Sequence, residues 1–512
     1  MNLADVWEAR AAAMPDAPAL LHGDVRRSWQ QFDERADGVA AGLLAAGIGR
    51  QAPVAQYLAN GTEYLETIFA CFKASLAPAN TNHRYGPDEL AFVWSDARAE
   101  AVVFHGSFTD RVDAVRSRGD ATVRLWVHVD DGTEPCPGWA VPYESLATSG
   151  ERARAERSGD DLFLLYTGGT TGMPKGVMWR QADLLANLAP TGELTGRVHL
   201  PACPLIHGAG SFTAMAALAE GGTVVTLTAR SFDAAELLDA VERHRVRTLA
   251  IVGDPFARPI LEALDAEPGR WDISSLTHIV SSGVAWGDET KDGLLRHHPD
   301  VALVDSLGSS EAVNIGRTVK RRGASAPASR FRVGPRTRVL DDDDHDVVPG
   351  SGQIGRVAIA GPGPSGYLND PERSARTFPV IDGQRFTIPG DLATVDGDGT
   401  MVLLGRGAAC INTGGEKVFP EEVEEALKLD PTVLDAAVVG VPDERWGERV
   451  VALIEPRPGA TVDVDAIIAG VKNRLAGYKA PRHVVLGPIG RQSTGKLDYS
   501  AIRERVIADA SD

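Results

Sequence analysis

The segment best suited to chemistry is a loop rich in glycine and threonine, which follows an apolar run. Residues 161–179 are DLFLLYTGGTTGMPKGVMW. Glycines let backbone amides approach phosphate oxygens closely, and the hydroxyls of Thr167, Thr170 and Thr171 add further donors. Lys175 supplies a point charge that suits a phosphate. The pattern predicts a phosphate-binding turn after a buried strand; a purely structural turn is the alternative.

This loop is not the P-loop of kinases and GTPases. That motif needs Gly-Lys-Ser/Thr, whereas Lys175 follows Pro174 and precedes Gly176. A second segment, residues 490–496, satisfies the GxxxxGK spacing, but Leu497 stands where a P-loop needs Ser or Thr. We therefore do not predict a P-loop fold.

Around the loop, short β-branched runs alternate with amphipathic helical segments. SFDAAELLDAVERHRV predicts a helix capped by Ser231, and the following RTLAIVG predicts a strand buried on both faces. LTHIVSSG and ALVDSLG repeat the pattern of a strand followed by glycine. Alternating strands and helices indicate α/β layers around a largely parallel sheet. Residues 330–405 contain turn-rich β segments, and a compact α+β unit follows them.

Composition limits the classes of function. With 512 residues, the chain is long enough for two or more domains. A formal net charge of −18 argues against general nucleic-acid binding. The four cysteines are scattered with no CxxC pair, and we see no signal peptide or membrane span. These features predict a cytoplasmic protein.

The string YTGGTTGMPKGV resembles the signature loop of the ANL superfamily of adenylate-forming enzymes. This superfamily includes acyl-CoA synthetases, adenylation domains of peptide synthetases and firefly-type luciferases. Further matching segments follow in the family's order between residues 166 and 498. The resemblance implies a large N-terminal domain of layered α/β sheets at 1–406, with a small β-barrel-like subdomain at 330–405. It also implies a small mobile α+β C-terminal domain at 407–512.

The same resemblance implies the roles of individual residues. Glu311, in a Ser-Glu pair, becomes the Mg²⁺ ligand, since a carboxylate is a hard ligand for this ion. Asp391 matches the acid that binds the ribose hydroxyls, and Lys496 the catalytic lysine that contacts the reacting carboxylate and the α-phosphate. Leu307 replaces the usual aromatic residue beside adenine. The implied nucleotide-binding positions are Thr167, Gly168, Gly169, Thr170, Thr171, Gly172, Lys175, Gly283, Val284, Ser306, Leu307, Gly308, Ser310, Asp391 and Arg406.

A second group of positions concerns the acceptor thiol. Gly414 and Gly415 match the strand that lines the family's coenzyme A channel, and Lys479 lies in a basic segment expected near a CoA phosphate. Ala408 stands at the hinge, where the family usually has Asp or Lys. We expect the hinge still to work, because it requires permissive backbone angles rather than a charge.

The acyl site is implied by PLIHGAGSF, residues 204–212. His207 matches a gate position, with a structural histidine as the alternative, while Gly208 and Gly210 leave room for a bulky acid. We find no aspartate at the position that binds the ammonium group of an amino-acid substrate. A long-chain, steroid-like or terpenoid acid is therefore predicted.

The resemblance as a whole implies an AMP-forming acyl-CoA synthetase. Its substrates are a small-molecule carboxylic acid, ATP and coenzyme A, with Mg²⁺ as the metal. A stand-alone adenylating enzyme that passes the acyl group to a partner protein's thiol is the alternative. A regulatory protein that binds nucleotide without turnover, and a luciferase-type oxygenase, are rivals from other classes. A homodimer is left open.

Overall fold

The computed structural model describes residues 1–119, 122–169, 172–188, 197–284, 286–324, 329–406, 410–413, 416–443, 447–475, 477–491, 495 and 497–509. The chain divides into two compact units. The first consists of Met1–Ala328 with Ala360–Thr387, and the second of Ser329–Ile359 with Ile388–Asp512. None of the helices in these ranges combines the length and the apolar composition that a membrane span needs.

Helices and strands alternate through the first unit, and strands dominate the start of the second. The helices are α1 (Leu3–Ala13), α2 (Trp29–Ala45), α3 (Thr62–Lys73), α4 (Pro87–Ala97), α5 (Thr109–Arg118), α6 (Tyr143–Ala147), α7 (Gln181–Leu188), α8 (Gly208–Ala219), α9 (Ala234–His244), α10 (Asp254–Ala266), α11 (Asp288–His297), α12 (Pro371–Thr377), α13 (Pro420–Lys428), α14 (Val464–Lys472) and α15 (Tyr499–Asp509). The strands are β1 (Pro18–His22), β2 (Val25–Ser28), β3 (Pro53–Tyr57), β4 (Ala77–Asn80), β5 (Ala101–His105), β6 (Leu125–Val129), β7 (Val141–Pro142), β8 (Leu162–Gly169), β9 (Gly172–Arg180), β10 (Val198–Pro201), β11 (Thr223–Thr226), β12 (Thr248–Ile251), β13 (His278–Ser282), β14 (Ala302–Leu307), β15 (Gly316–Lys320), β16 (Arg330–Val333), β17 (Thr337–Leu340), β18 (Gly355–Ala360), β19 (Gly366–Tyr367), β20 (Val380–Ile381), β21 (Gln384–Thr387), β22 (Asp391–Val395), β23 (Met401–Arg406), β24 (Ile411–Thr413), β25 (Glu416–Val418), β26 (Val433–Asp443), β27 (Gly447–Pro456) and β28 (His483–Leu486).

One sheet of the first unit has the strand order β2-β1-β11-β10-β12-β13-β14-β15. Its centre is parallel: β12 pairs with β10 and β13, and β13 pairs with β14. The three strands predicted from RTLAIVG, LTHIVSSG and ALVDSLG are therefore confirmed, and the structure shows that they are neighbours. Because parallel strands share a direction, their carboxyl ends lie at one edge of the sheet, where loops can converge on a ligand.

The other sheet of this unit has the order β19-β9-β8-β4-β3-β5-β6-β7. Strands β4, β3, β5 and β6 are parallel, and β8 and β9 form an antiparallel hairpin at one side. Helices α1, α2 and α3 contact one another. Their aromatic rings, among them Trp7, Phe32 and Phe69, lie fully buried in one cluster.

Helix α9 confirms the predicted amphipathic segment but corrects its cap. Asp233, rather than Ser231, is the N-cap, and its carboxylate accepts hydrogen bonds from the backbone N–H groups of Ala235 and Glu236. An aspartate in an extended conformation immediately before the first turn satisfies two otherwise unpaired amides. Leu237 and Val241 are buried, as the helical spacing predicts.

The second unit contains a β-rich part and an α+β part. In the β-rich part, β22 pairs with β18 and β23, β23 with β16, and β17 with β18. In the α+β part, β26 and β27 form a long hairpin, and β28 adds in parallel to β27. Helix α13 contacts β26 and α14. The compact α+β unit predicted after residue 405 is thus confirmed, and the domain boundary after Arg406 stays a prediction.

Candidate active site

The predicted phosphate loop is the end of the β8–β9 hairpin. Thr167 lies opposite Lys175, and Gly169 lies opposite Gly172 after a shift in register. The strand therefore continues past Tyr166, and Lys175 is on the returning strand rather than in a loop. Thr170 and Thr171 lie outside the described residues. Thr167 and Lys175, both predicted to bind phosphate, are therefore cross-strand partners in one hairpin.

Two further predicted segments meet at the carboxyl ends of β13 and β14. Ser282 pairs with Ser306, so Gly283 and Val284, which follow β13, lie beside the end of β14 at Leu307 and the Gly308 that follows it. Gly283 has φ = +89°, a conformation that favours glycine. The parallel pairing therefore places these two nucleotide-binding candidates side by side.

The turn after β14 is held by two side chains. The hydroxyl of Ser309 accepts hydrogen bonds from the backbone N–H groups of Glu311 (3.2 Å) and Ala312 (3.1 Å). The indole Nε1 of Trp179, on β9, donates to the carbonyl oxygen of Ser310 at 2.9 Å. These contacts hold the backbone of the Ser310–Glu311 pair and tie it to the hairpin.

The Glu311 carboxylate is the centre of a three-residue cluster, Lys175–Glu311–Tyr367. Lys175 Nζ lies 2.9 Å from Glu311 Oε1, and the Tyr367 hydroxyl donates to the same oxygen at 2.7 Å. Lys175 Nζ also donates to the Tyr367 hydroxyl oxygen at 3.0 Å. Tyr367 is buried, and burial together with the negative charge of Glu311 raises the pKa of its hydroxyl well above the usual value. The hydroxyl therefore stays protonated.

The predicted acyl segment begins after β10 and leads into α8. The buried side chain of Asn80 links it to the hairpin: its amide nitrogen donates to the carbonyl oxygens of Tyr166 (2.9 Å) and Ile206 (2.7 Å). His207 is the N-cap of α8 and contributes no side-chain capping bond. A methyl group on Gly210 would overlap the Pro204 carbonyl group.

Gly208 is also in a tight place, since a Cβ there would lie 3.2 Å from the ring of Phe212 and 3.4 Å from Leu165. Close packing thus accounts for both glycines of this segment, and their role in admitting a bulky acid stays a prediction.

Other predicted positions belong to the second unit. Asp391 is buried and pairs across β22 and β23 with Arg406. Lys479 donates to Glu422 at 2.6 Å. Thr170, Thr171, Ala408, Gly414, Gly415 and Lys496 lie outside the described residues, so their predicted roles stay predictions.

Sequence reasoning missed Tyr367, Asn80 and Trp179. Tyr367 lies in SGYLND, where a single aromatic between glycine and a turn is a weak signal. Asn80 ends an apolar run, APAN, and a polar residue at that position was the available hint of a buried hydrogen-bonding role.

The site offers one described acid that suits a magnesium ion. Within the described ranges, no three His, Cys, Asp or Glu side chains are gathered as a metal site. Mg²⁺ needs only one or two protein carboxylates when substrate phosphates and water supply the remaining ligands. The carboxylate of Glu311, beside a lysine that can contact phosphate, fits that requirement.

Two family models match the sequence. The model described as "AMP-binding enzyme" matches residues 7–368, and "AMP-binding enzyme C-terminal domain" matches residues 422–496. The first match spans more than half of the chain. The chain belongs to the AMP-binding enzyme family, which confirms the predicted resemblance.

Curated relatives match the chain over nearly its whole length. A medium/long-chain-fatty-acid–CoA/3-oxocholest-4-en-26-oate–CoA ligase of Mycobacterium tuberculosis is 37% identical over 537 residues, covering 100% of this chain and 97% of the relative. The medium-chain acyl-CoA ligase Mig of Mycobacterium avium is 38% identical, with 98% of each chain covered. The 3-oxocholest-4-en-26-oate–CoA ligase of Rhodococcus rhodochrous is 37% identical, with 98% and 95% covered. These relatives are CoA ligases named for fatty and steroid acids.

Solved structures share the fold. The anthranilate CoA ligase AuaEII in complex with anthranoyl-AMP has a TM-score of 0.87 at 22% identity, covering 100% of this chain and 98% of that chain. ATP-bound MatB from Rhodopseudomonas palustris has a TM-score of 0.82 at 26% identity, with 99% of both chains covered. The predicted α/β fold class, with a large N-terminal and a small C-terminal domain, is confirmed.

Proposed function

We propose that this chain is an AMP-forming acyl-CoA ligase. It activates a carboxylic acid with ATP, releases pyrophosphate and transfers the acyl group from the adenylate to coenzyme A. The observation that carries the proposal is the contact between Lys175 on the β8–β9 hairpin and Glu311 after β14. In this contact, a cation that suits phosphate lies beside a carboxylate that suits Mg²⁺, and Glu311 follows the carboxyl end of the parallel strand β14.

The chemistry asks for positioning and charge stabilisation rather than a protein nucleophile. An oxygen of the substrate carboxylate attacks the α-phosphorus of ATP, and the bond from that phosphorus to the bridging oxygen of pyrophosphate breaks. The product is an acyl-adenylate, in which AMP is the leaving group. A thiol then attacks the acyl carbon, AMP departs and the thiol proton passes to solvent. Bound geometry and fixed charges supply the rate enhancement for such reactions.

The chain's own residues divide this work. Lys175 attracts the phosphates, with the backbone of the hairpin end beside it. Glu311 holds Mg²⁺, which when bound neutralises part of the triphosphate charge. In this proposal, Asp391 and Arg406 bind the ribose, and Lys496 stabilises the negative charge that develops between the carboxylate and the α-phosphate; these roles come from the motif resemblance of the sequence.

The acid we propose is a medium- or long-chain fatty acid or a steroid side-chain acid. The names of relatives at 37–38% identity support this class. The helix that follows the predicted acyl segment also supports it, because α8 is apolar and its Phe212 packs against Phe163 and Trp179. His207, Gly208 and Gly210 remain our candidates for the pocket wall.

Hydroxamate trapping tests the adenylation step. The protein is incubated with ATP, Mg²⁺, hydroxylamine and, in turn, medium-chain, long-chain, steroid and aromatic acids. We expect ATP-dependent hydroxamate formation with the apolar acids. Glu311→Gln and Lys175→Ala should lower the rate by about 10²–10³-fold, as removal of a charge-stabilising group does in other enzymes. Glu262→Gln, which changes an exposed acid on α10, should leave the rate unchanged.

Coenzyme A consumption then identifies the acceptor. Stoichiometric loss of free thiol with acyl-CoA formation supports a CoA ligase. Adenylate that accumulates in the presence of coenzyme A would instead indicate delivery to a partner protein's thiol. If no acid supports pyrophosphate release, the proposal is wrong.

Three further predictions belong to this proposal. The rotation of the C-terminal domain about Ala408, with Gly414, Gly415 and Lys479 near the thiol, is our extension of the motif resemblance seen in the sequence. A cytoplasmic location follows from composition. The homodimer left open by the sequence is testable by light scattering.

A further inference from the structure

Tyr367 reaches the Lys175–Glu311–Tyr367 cluster from a distant part of the chain. Strand β19 pairs with the outer edge of β9, so that Tyr367 lies opposite Val177, and Leu368 N donates to the carbonyl oxygen of Gly176. Lys175 and Val177 are two residues apart on β9, so their side chains emerge on the same face. This register brings the phenol beside the lysine.

The backbone and ring of Tyr367 are both fixed. The Ser374 hydroxyl, on α12, accepts a hydrogen bond from Tyr367 N at 2.8 Å. A Cβ on the neighbouring Gly366 would lie 2.9 Å from the same hydroxyl, so the two segments pack closely. The Tyr367 ring packs against Phe378 with centroids 5.4 Å apart. A rigid phenol can define the position of the groups that its hydroxyl touches.

The Tyr367 hydroxyl has two partners, Lys175 and Glu311, and we expect ATP to draw away only Lys175. Lys175 has a charge that phosphate oxygens attract, and its side chain is 21% exposed. Glu311 is more deeply buried, and its Oε1 accepts from both Lys175 and Tyr367. When phosphates draw the ammonium group away, the Tyr367 hydroxyl remains as a donor to Oε1.

We infer that Tyr367 is a positioning residue for adenylation. Its hydroxyl holds the Glu311 carboxylate in place when the Lys175 ammonium group leaves Glu311 and binds the phosphates of ATP. The inference rests on the proposed function. It makes Tyr367 act through Glu311, so its loss should affect the binding of ATP and magnesium and leave the transfer to the thiol unaffected.

The test is Tyr367→Phe in the full-length protein, because this change keeps the ring and removes only the hydroxyl. At a fixed ATP concentration, the Mg²⁺ concentration that gives half-maximal hydroxamate formation should rise about 10-fold, as expected for losing a hydrogen bond to a charged group. Thioester formation from added acyl-adenylate should keep the wild-type rate.

A matched control lies elsewhere in the same unit. The buried Tyr143 hydroxyl donates to Glu66 Oε2 at 3.1 Å, and Glu66 also pairs with Arg35. Tyr143→Phe therefore removes the same kind of contact, a phenol on a buried carboxylate paired with a cation. It should leave the magnesium dependence unchanged.

Ser374→Ala supplies a second variant, which loosens the backbone of Tyr367 and should shift the magnesium dependence in the same direction by a smaller factor. It also decides the matter if Tyr367→Phe does not fold. A wild-type magnesium curve for folded Tyr367→Phe, or equal slowing of both half-reactions, would overturn the inference. If the wild-type protein itself releases no pyrophosphate, the proposed function fails instead.

Discussion

Replacement of Asn80 by alanine should weaken the link between the phosphate hairpin and the acyl segment. Asn80 ends β4 and is only 4% exposed. Its side-chain oxygen accepts from Tyr166 N at 2.6 Å, and its nitrogen donates to the Tyr166 and Ile206 carbonyl oxygens. The last backbone pair between β4 and β8 is Ala79 with Leu164. The side-chain amide of Asn80 thus provides hydrogen bonds between β4 and β8 beyond the last backbone pair.

The magnitude follows from these three contacts. A neutral hydrogen bond contributes about 1 kcal/mol net, and a buried polar group left without a partner costs about 1–3 kcal/mol. Loss of the Asn80 amide removes three bonds and leaves the Tyr166 amide without this acceptor. We expect the free energy of unfolding to fall by about 3–5 kcal/mol. An m-value of at least about 3 kcal/mol/M, the upper end for small proteins, corresponds to a fall in the urea midpoint of up to about 1–1.7 M.

Urea unfolding with and without ATP measures the effect. Asn80→Asp keeps the shape but directs a carboxylate at two carbonyl oxygens, so it should destabilise more than Asn80→Ala does. Both variants should raise the KM for ATP, because the hairpin that carries Lys175 loses an anchor. The exposed Asn473→Ala serves as the control, with an expected change within about 0.5 kcal/mol. Asn80→Asp with wild-type stability would refute the reasoning.

Two other predictions concern pH and packing. Burial raises the pKa of the Glu424 carboxyl to about 7, so the stability that its protonated form provides is full below about pH 4.5 and is lost as the pH rises through 7. Between pH 5 and 8, Glu424→Gln should therefore become more resistant to urea than the wild type, by up to about 3 kcal/mol. The exposed Glu504→Gln should show no such gain. Gly210→Ala should lower the free energy of unfolding by about 1–3 kcal/mol and raise the KM for the acid, because its methyl group overlaps the Pro204 carbonyl group. Gly138→Ala, whose methyl group meets open space, is the control, and equal urea midpoints for the two variants would contradict the packing argument.

Local patterns were enough to predict much of the fold. Strand β12 is a short apolar run in which Leu249, Ala250 and Ile251 are all buried, and a run buried on both faces is typical of a parallel sheet. Strands β13 and β14 also contain apolar residues, and each is followed directly by a glycine. The N-cap of α9 was harder to predict, because Ser231 and Asp233 are both good N-cap residues two positions apart and only the backbone conformation selects between them.

The candidate site also has one part that the sequence indicated and another that only the structure revealed. From the sequence alone, the order of glycines and threonines with Lys175 indicated phosphate binding, since a donor-rich loop has a local signature, whereas the role of the Ser310–Glu311 pair was implied only by the resemblance to the ANL superfamily. Only the tertiary structure decided that Lys175 and Glu311 touch, and that Tyr367, 192 residues away from Lys175, completes the contact. Strand pairing and burial determine such contacts, and neither follows from the residues adjacent in the chain.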